Sequence, residues 1–302
     1  MTLIKSISGI RGTIGGRAGE GLTPIDAVKF SAAFGYLVKQ QYTDKKIKIV
    51  IGRDARISGQ MLNNLVVNTL LGLGIDVLDL GLSTTPTVEM AVPLENAQAG
   101  IILTASHNPI QWNALKLLNE KGEFISANLG AEILKIAEDE NFLFAEVNEL
   151  GKVTYDNTYI KKHIDIICNL PLVNKAVIEK ADFHVVCDCV NSTGGIAVPL
   201  LLEALGVKNI TKLYCEPNGH FPHNPEPLPE HLTDISNKIK TSKAHLGIVV
   251  DPDVDRLALV CENGDMFGEE YTLVAIADYV LKHKKGNTVS NLSSTRALRD
   301  VT

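Results

Sequence analysis

Apolar residues recur along the chain in two alternating periods. Short β-branched runs such as Ile49, Val50 and Ile51 read as buried strands, and stripes such as Leu62, Leu65, Val66 and Leu70 follow at helical spacing. The first half predicts strands at 48–52, 75–80 and 99–103 and helices at 61–73, 87–94 and 131–140. A polar, mixed stretch over 145–160 breaks this rhythm and reads as a linker. The second half resumes it, with strands at 184–187, 210–214, 245–250 and 257–261, helices at 196–205, 232–240 and 271–282, and a turn at 262–265. Alternation of this kind predicts an α/β protein, with helices packed on sheets. Two stretches rich in turn residues, 9–21 and 216–229, are expected to be irregular loops, which in compact α/β domains tend to be functional or mobile. After 287 a further βα unit is expected to open just before the chain ends at Thr302, as in an incomplete polypeptide.

The chain has 302 residues, 45% of them hydrophobic and 21% charged, which is a core-forming rather than a disordered composition. Twenty-nine Lys and Arg oppose thirty-five Asp and Glu, a net charge of −6 with no basic block. Nucleic acid and anionic membranes are therefore poor partners, whereas phosphorylated small molecules stay compatible with a locally basic pocket. The start, MTLIKSISGIRG, lacks a signal-type apolar run, and no stretch reaches the ~18 apolar residues of a membrane span, so a cytoplasmic location is expected. The five cysteines, Cys168, Cys187, Cys189, Cys215 and Cys261, form no C-x-x-C. They are expected to be reduced core thiols rather than a zinc or redox site.

The most specific chemical signal is Asp251-Pro252-Asp253-Val254-Asp255-Arg256, directly after the apolar run 246–250. Three carboxylates at alternate positions concentrate charge for a hard divalent cation. On a straight strand Asp251 and Asp255 would lie ~13 Å apart at ~3.3 Å per residue, so the segment must curl if all three bind one ion. An EF-hand loop is rejected: Arg256 stands where that loop needs Gly, and the flanks read as strands. An aspartyl nucleophile at Asp251, as in haloacid-dehalogenase-like phosphotransferases, competes for the same residues. Asp255 stands where that family favours Thr or Val, however, and little chain follows to supply its remaining acidic motif.

The second signal is Thr104-Ala105-Ser106-His107-Asn108-Pro109, followed by Asn113 and Lys116. Adjacent Ser and His do not make a hydrolase, and no G-x-S-x-G elbow is present. If Ser106 carries a phosphate, about −1.5 to −2 charge and three acceptor oxygens arrive, one of which can complete a cation's shell.

Together with Ser8-Gly-Ile-Arg-Gly12 and Gly52-Arg-Asp-Ala-Arg-Ile-Ser-Gly59, these motifs resemble the α-D-phosphohexomutases over the whole chain and in the family's order. Asn218-Gly-His-Phe-Pro222 echoes a further loop of that family. The resemblance implies consecutive α/β domains of the phosphohexomutase type, mixed sheets between helices. It places domain I with the phosphoserine loop at 1–150, domain II with the metal loop at 151–256, and an incomplete domain III at 257–302. By motif position, Ser106 is the phosphorylated serine, and it shares one Mg²⁺ with Asp251, Asp253 and Asp255. Arg11 and Arg256 contact the phosphoryl group, Lys116 is the general acid/base, and His107 lies beside the phosphoserine. Arg53 and Ser58 have a mainly structural role. The implied activity interconverts hexose 6-phosphate and hexose 1-phosphate through a hexose bisphosphate, with phosphoglucosamine mutase favoured over phosphomannomutase or phosphoglucomutase. One departure concerns the metal loop, where Pro252 and Val254 replace the glycines common between the aspartates and put its backbone flexibility in question.

Overall fold

A computed structural model describes the chain except for residues 7, 8, 44 and 292–294, so Ser8 of the Ser-Gly-Ile-Arg-Gly motif lies outside the described residues. The first layer runs β1 (Ile4–Ser6), β2 (Gly9–Thr13), α1 (Pro24–Gln41), β3 (Lys48–Arg53), α2 (Gly59–Gly72), β4 (Asp76–Leu82), α3 (Thr85–Leu94), β5 (Ala99–Leu103), β6 (Trp112–Leu118), α4 (Ala127–Asp139) and β7 (Val153–Tyr155). Its seven strands lie in the order β1-β2-β6-β5-β3-β4-β7. The centre, β5-β3-β4-β7, is parallel, and β1, β2 and β6 add antiparallel pairs at the other side. Ile49, Ile51, Ile101 and Leu103 face a core shared with α1, α2 and α4. Val50, Leu78, Leu80 and Ile102 face the opposite core, under Val88, Ala91 and Val92 of α3. Burial on both faces accounts for the unbroken apolar runs in these strands.

The second layer runs α5 (Tyr159–Cys168), α6 (Lys175–Ala181), β8 (His184–Asp188), α7 (Gly194–Ala204), β9 (Asn209–Leu213), α8 (Thr233–Ser242), β10 (Leu246–Val250) and β11 (Leu257–Cys261). Its sheet has the order β11-β10-β8-β9, with β10, β8 and β9 parallel and β11 antiparallel to β10. Two helices complete the chain, α9 (Glu269–His283) and α10 (Ala297–Val301).

Four expectations are corrected. Residues 9–13, read as loop, form β2 between β1 and β6. Cross-strand pairing overrides weak local propensity there, and Gly9 sits at φ +125° where a Cβ would come within 2.3 Å of the Leu115 carbonyl oxygen. The stretch 145–160 is not only linker: β7 within it extends the first sheet beside β4, and α5 begins at Tyr159. A division at 256/257 would cut the β10–β11 hairpin, whose five paired positions hold β11 in the second sheet through Cys261. Past 287 the described residues contain α10 but no strand.

Helix α1 was not anticipated, although its start is marked in the sequence. The Thr23 hydroxyl accepts from the Asp26 N–H, the Asp26 carboxylate accepts from the Thr23 N–H, and Pro24 stands in the first turn. Among the described residues no helix is long and apolar enough to cross a membrane.

Candidate active site

Neighbouring parallel strands bring their C-terminal loops side by side. In the first sheet, β3 and β5 are neighbours, so residues 54–58 lie against 104–109. In the second sheet, β8 and β10 are neighbours, so residues 189–193 lie against 251–256. The two pairs of loops then meet. The Thr85 N–H donates to the Asp253 carbonyl at 2.8 Å, and the Thr85 hydroxyl donates to Asp253 Oδ2 at 2.5 Å. Ser192 donates its hydroxyl to the Pro252 carbonyl at 2.6 Å and accepts from the Ala55 N–H at 3.2 Å.

The acidic segment does curl. The Val254 N–H donates to the Asp251 carbonyl at 3.1 Å, and Asp251 Oδ1 accepts from the Asp255 and Arg256 N–H groups, each at 3.1 Å. Val254 sits at φ +65°, an unfavourable region for a β-branched residue. One carboxylate oxygen from each of Asp251, Asp253 and Asp255 falls within 4.8 Å of the others. Asp251 and Asp253 are fully buried, and Asp253 Oδ1 has no hydrogen-bond partner. An all-oxygen set with a buried, unpartnered carboxylate oxygen fits a hard divalent cation. Burial, then the charges of Asp253 and Asp255, push the Asp251 carboxyl above the ordinary range. Burial acts the same way on Asp253, but the Lys116 ammonium outweighs it and holds that carboxyl low.

Ser106 Oγ donates to Asp251 Oδ2 at 2.7 Å and lies 3.4 Å from Asp255 Oδ1 and from His107 Nδ1. Its own backbone is at φ +49°. Lys116 comes from β6, antiparallel to β5, and donates to Asp253 Oδ2 at 2.7 Å and Asp255 Oδ2 at 2.8 Å. Burial works to lower the Lys116 pKa, yet these two carboxylates raise it overall. Burial, then the positive Arg256, lower the pKa of His107 and favour a neutral imidazole. Arg11 on β2 lines a cavity of about 160 Å³ with Gly9, Ser106, His107 and Lys116. Arg256 instead pairs with Glu226 at 3.1 Å. Arg53 reaches Gln60 at 2.8 Å, and Ser58 accepts from the Asn113 amide at 2.9 Å.

The residue that sequence reasoning missed is Arg56. It is 1% exposed, and its guanidinium donates to Asp54 and to the carbonyls of Ser106, Asn108, Pro109 and Trp112 at 2.6–3.0 Å. The Phe221 ring stacks 5.1 Å from it, within the 218–222 loop. That loop rests directly on residues 55–57: a Cβ on Gly219 would meet the Ala55 carbonyl oxygen at 2.1 Å. Arg56 thus carries the serine loop from beneath. Glu89 on α3 was also missed; burial pushes its carboxyl up to about 7, against the pull of Lys116.

The two layers correspond to two consecutive domains of one protein family. Residues 3–144 match the model for phosphoglucomutase/phosphomannomutase α/β/α domain I, and residues 158–264 match that for domain II. The chain belongs to this family, the α-D-phosphohexomutases. It is 35% identical to a phosphoglucomutase/phosphomannomutase of Thermococcus kodakarensis, covering 96% of this chain and 63% of the relative. It is 37% identical to a probable phosphoglucosamine mutase of Pyrococcus horikoshii, covering 97% and 61%. A crystal structure of a family member from Burkholderia thailandensis superposes with a TM-score of 0.78 at 26% identity, over 99% of this chain and 65% of that one. A putative phosphomannomutase from Thermus thermophilus shares the fold with a TM-score of 0.84 at 21% identity, over 99% and 66%. The chain therefore spans somewhat over three-fifths of the length of these curated relatives.

Proposed function

We propose that this chain carries the phosphoryl-transfer site of a magnesium-dependent mutase that moves phosphate between O6 and O1 of a hexose. The observation that carries the reading is the Ser106 hydroxyl, bonded to Asp251 in an acidic trio of which Asp251 and Asp253 are buried. The two oxygens of a rigid sugar ring are far apart, so the transfer needs a relay. In the first half, the P–Oγ bond of phosphorylated Ser106 breaks as the free sugar hydroxyl forms a P–O bond, giving a hexose bisphosphate. In the second half, the other phosphate returns to Ser106. Such transfer asks mainly for positioning and charge neutralisation.

Each residue has a part in that scheme. Asp251, Asp253 and Asp255 would hold Mg²⁺ with an oxygen on Ser106, and the bound ion would supply neutralisation of phosphoryl charge. Lys116, held as an ammonium, donates a proton to the departing oxygen and recovers one from the attacking hydroxyl. Arg11 binds phosphoryl oxygens in the cavity beside Ser106, and Arg256 does so once released from Glu226. His107, neutral and within 3.4 Å of Ser106 Oγ, orients that oxygen. Arg53 and Ser58 support the neighbouring loop. Glucosamine phosphate is the proposed sugar, supported by relatives named probable phosphoglucosamine mutases. Mannose or glucose phosphate is the second choice, on the relative named phosphoglucomutase/phosphomannomutase. A cytoplasmic setting goes with a charged sugar substrate, which does not readily cross lipid. The division into domain I, domain II and a part of domain III follows the same reading, with β11 joined to domain II.

Incubation with radiolabelled hexose 1,6-bisphosphate and Mg²⁺ tests the scheme. Label is expected on the Ser106 peptide, stable to hydroxylamine, and Ser106→Ala is expected to take up none. Undiminished label in Ser106→Ala, or a hydroxylamine-labile label on the Asp251 peptide, would refute it and revive the aspartyl nucleophile.

A further inference from the structure

Three of the five cysteines meet in the second layer. Cys187 and Cys189 alternate along β8 and its exit, which sends both side chains to one face of the sheet. Cys215 follows β9, the parallel neighbour of β8, and the Cys189 N–H donates to the Leu213 carbonyl at 3.3 Å to lock the two exits together. The three Sγ atoms lie within 4.8 Å of one another, and Cys187 and Cys215 are 3.9 Å apart.

That triangle has the dimensions of a metal site. With a metal–sulfur bond of ~2.3 Å, thiolates around one ion stand ~3.8–4.0 Å apart in tetrahedral or trigonal geometry. The sulfurs need close by less than about 1 Å, a rotamer adjustment rather than a backbone movement. Val185, Val198, Leu202, Val207 and Val250 pack around the thiols, the Cys215 thiol donates to the Leu213 carbonyl at 3.3 Å, and the buried Asp188 carboxylate is engaged by His223. Two positive features lie beside the cluster. Lys212 is the register partner of Cys187, and the first turn of α7 abuts the cluster through Gly194 and Gly195. A Cβ on Gly194 would stand 3.5 Å from Cys189 Sγ, and one on Gly195 would stand 2.2 Å from the Cys215 carbonyl oxygen, so the helix approaches only because both are glycine.

We propose that Cys187, Cys189 and Cys215 form a site for one thiophilic d¹⁰ cation, Cu⁺ or Zn²⁺, separate in donor chemistry from the carboxylate trio. Thiolate-only donors select soft ions and reject Mg²⁺. Cys187 and Cys189 are fully buried and Cys215 is half-buried, so one approach to the cluster stays open for entry or for a fourth ligand. The ion ties together the exits of β8 and β9. It thereby braces the root of the 216–229 segment, whose Phe221 stacks on Arg56 and whose Glu226 pairs with Arg256.

Cadmium titration of the reduced protein tests the site through its thiolate-to-metal charge-transfer absorption. One Cd²⁺ per chain is expected, with an intensity reporting three thiolates, displaced by Zn²⁺ or Cu⁺ and not by excess Mg²⁺. Cys215→Ser, at the half-exposed position, is expected to lower the thiolate number to two and weaken binding at least tenfold. A Cys168→Ser/Cys261→Ser double variant is expected to leave the signal intact, as is Asp253→Asn. Absence of the band at stoichiometric Cd²⁺, or an unchanged band in both Cys215→Ser and Cys187→Ser, would overturn the proposal.

Discussion

Ser106 holds its oxygen toward Asp251 from a left-handed backbone, and Val254 curls the acidic loop from another. Strain of this kind costs about 1–3 kcal/mol per residue and persists only where surrounding bonds over-determine the conformation. For Ser106 those bonds come from Arg56. Its buried guanidinium gathers three carbonyls of the serine loop and that of Trp112 on β6, and its charge opposes the burial that raises the Asp54 carboxyl. Arg56→Ala is expected to cost about 3–5 kcal/mol in denaturant unfolding, because an unpaired carboxylate and several carbonyls stay buried. It is also expected to slow labelling of Ser106, which Arg56 never touches with its side chain except through the loop backbone. A loss under about 1 kcal/mol with normal labelling would remove Arg56 from this role. Nothing local in Gly-Arg-Asp-Ala-Arg distinguishes Arg56 from the half-exposed Arg53. Burial, which only folding creates, separates them.

At the scale of elements, the layers are tied together by helices as well as by the site loops. Tyr159 opens α5, packs in the core under α3, and donates its hydroxyl to Glu95, the residue that ends α3. Lys48 on β3 donates to the other Glu95 oxygen at 2.9 Å. The Tyr159 hydroxyl first, then Lys48, holds the Glu95 carboxyl below its ordinary value of 4.5, against a smaller effect of burial. A lowered native pKa stabilises the fold fully above the unfolded value, and that stability is lost as pH falls through the native value. Tyr159→Phe is therefore expected to lower stability by about 1 kcal/mol near neutrality. The gap should close as pH falls below about 4.5, where unpaired Glu protonates, and through the lowered native value. Thermal melts followed by circular dichroism check this; a gap that does not change with pH would deny Glu95 the bond. The strands and helices with strong periodicity, such as β3, α2 and β5, were legible in sequence to within a few residues. β2 and β7 were not, because each is a short strand at or near a sheet edge whose partner, β6 or β4, lies far along the chain.

At the scale of the whole molecule, the site exists only where two sheets meet. Asp253 is the joint: Thr85 of the first layer binds both its carbonyl and its carboxylate, and Lys116 binds the same oxygen. Mg²⁺ is expected to raise the melting temperature of the protein, since an ion bound only by the folded state stabilises it by mass action. Asp253→Asn is expected to abolish that shift and weaken Mg²⁺ at least tenfold by calorimetry, and unchanged affinity would remove Asp253 from the metal set. The amino-acid sequence by itself determined the α/β class, the serine and aspartate motifs and the family, because strand periodicity and short motifs are local properties of the chain. Tertiary structure alone decided that Lys116 sits between Asp253 and Asp255, that Arg256 pairs with Glu226, that Arg56 underpins the serine loop, and that Cys187, Cys189 and Cys215 meet. Each of those facts joins residues dozens of positions apart, through strand order and the packing of one layer on another, which no local pattern encodes.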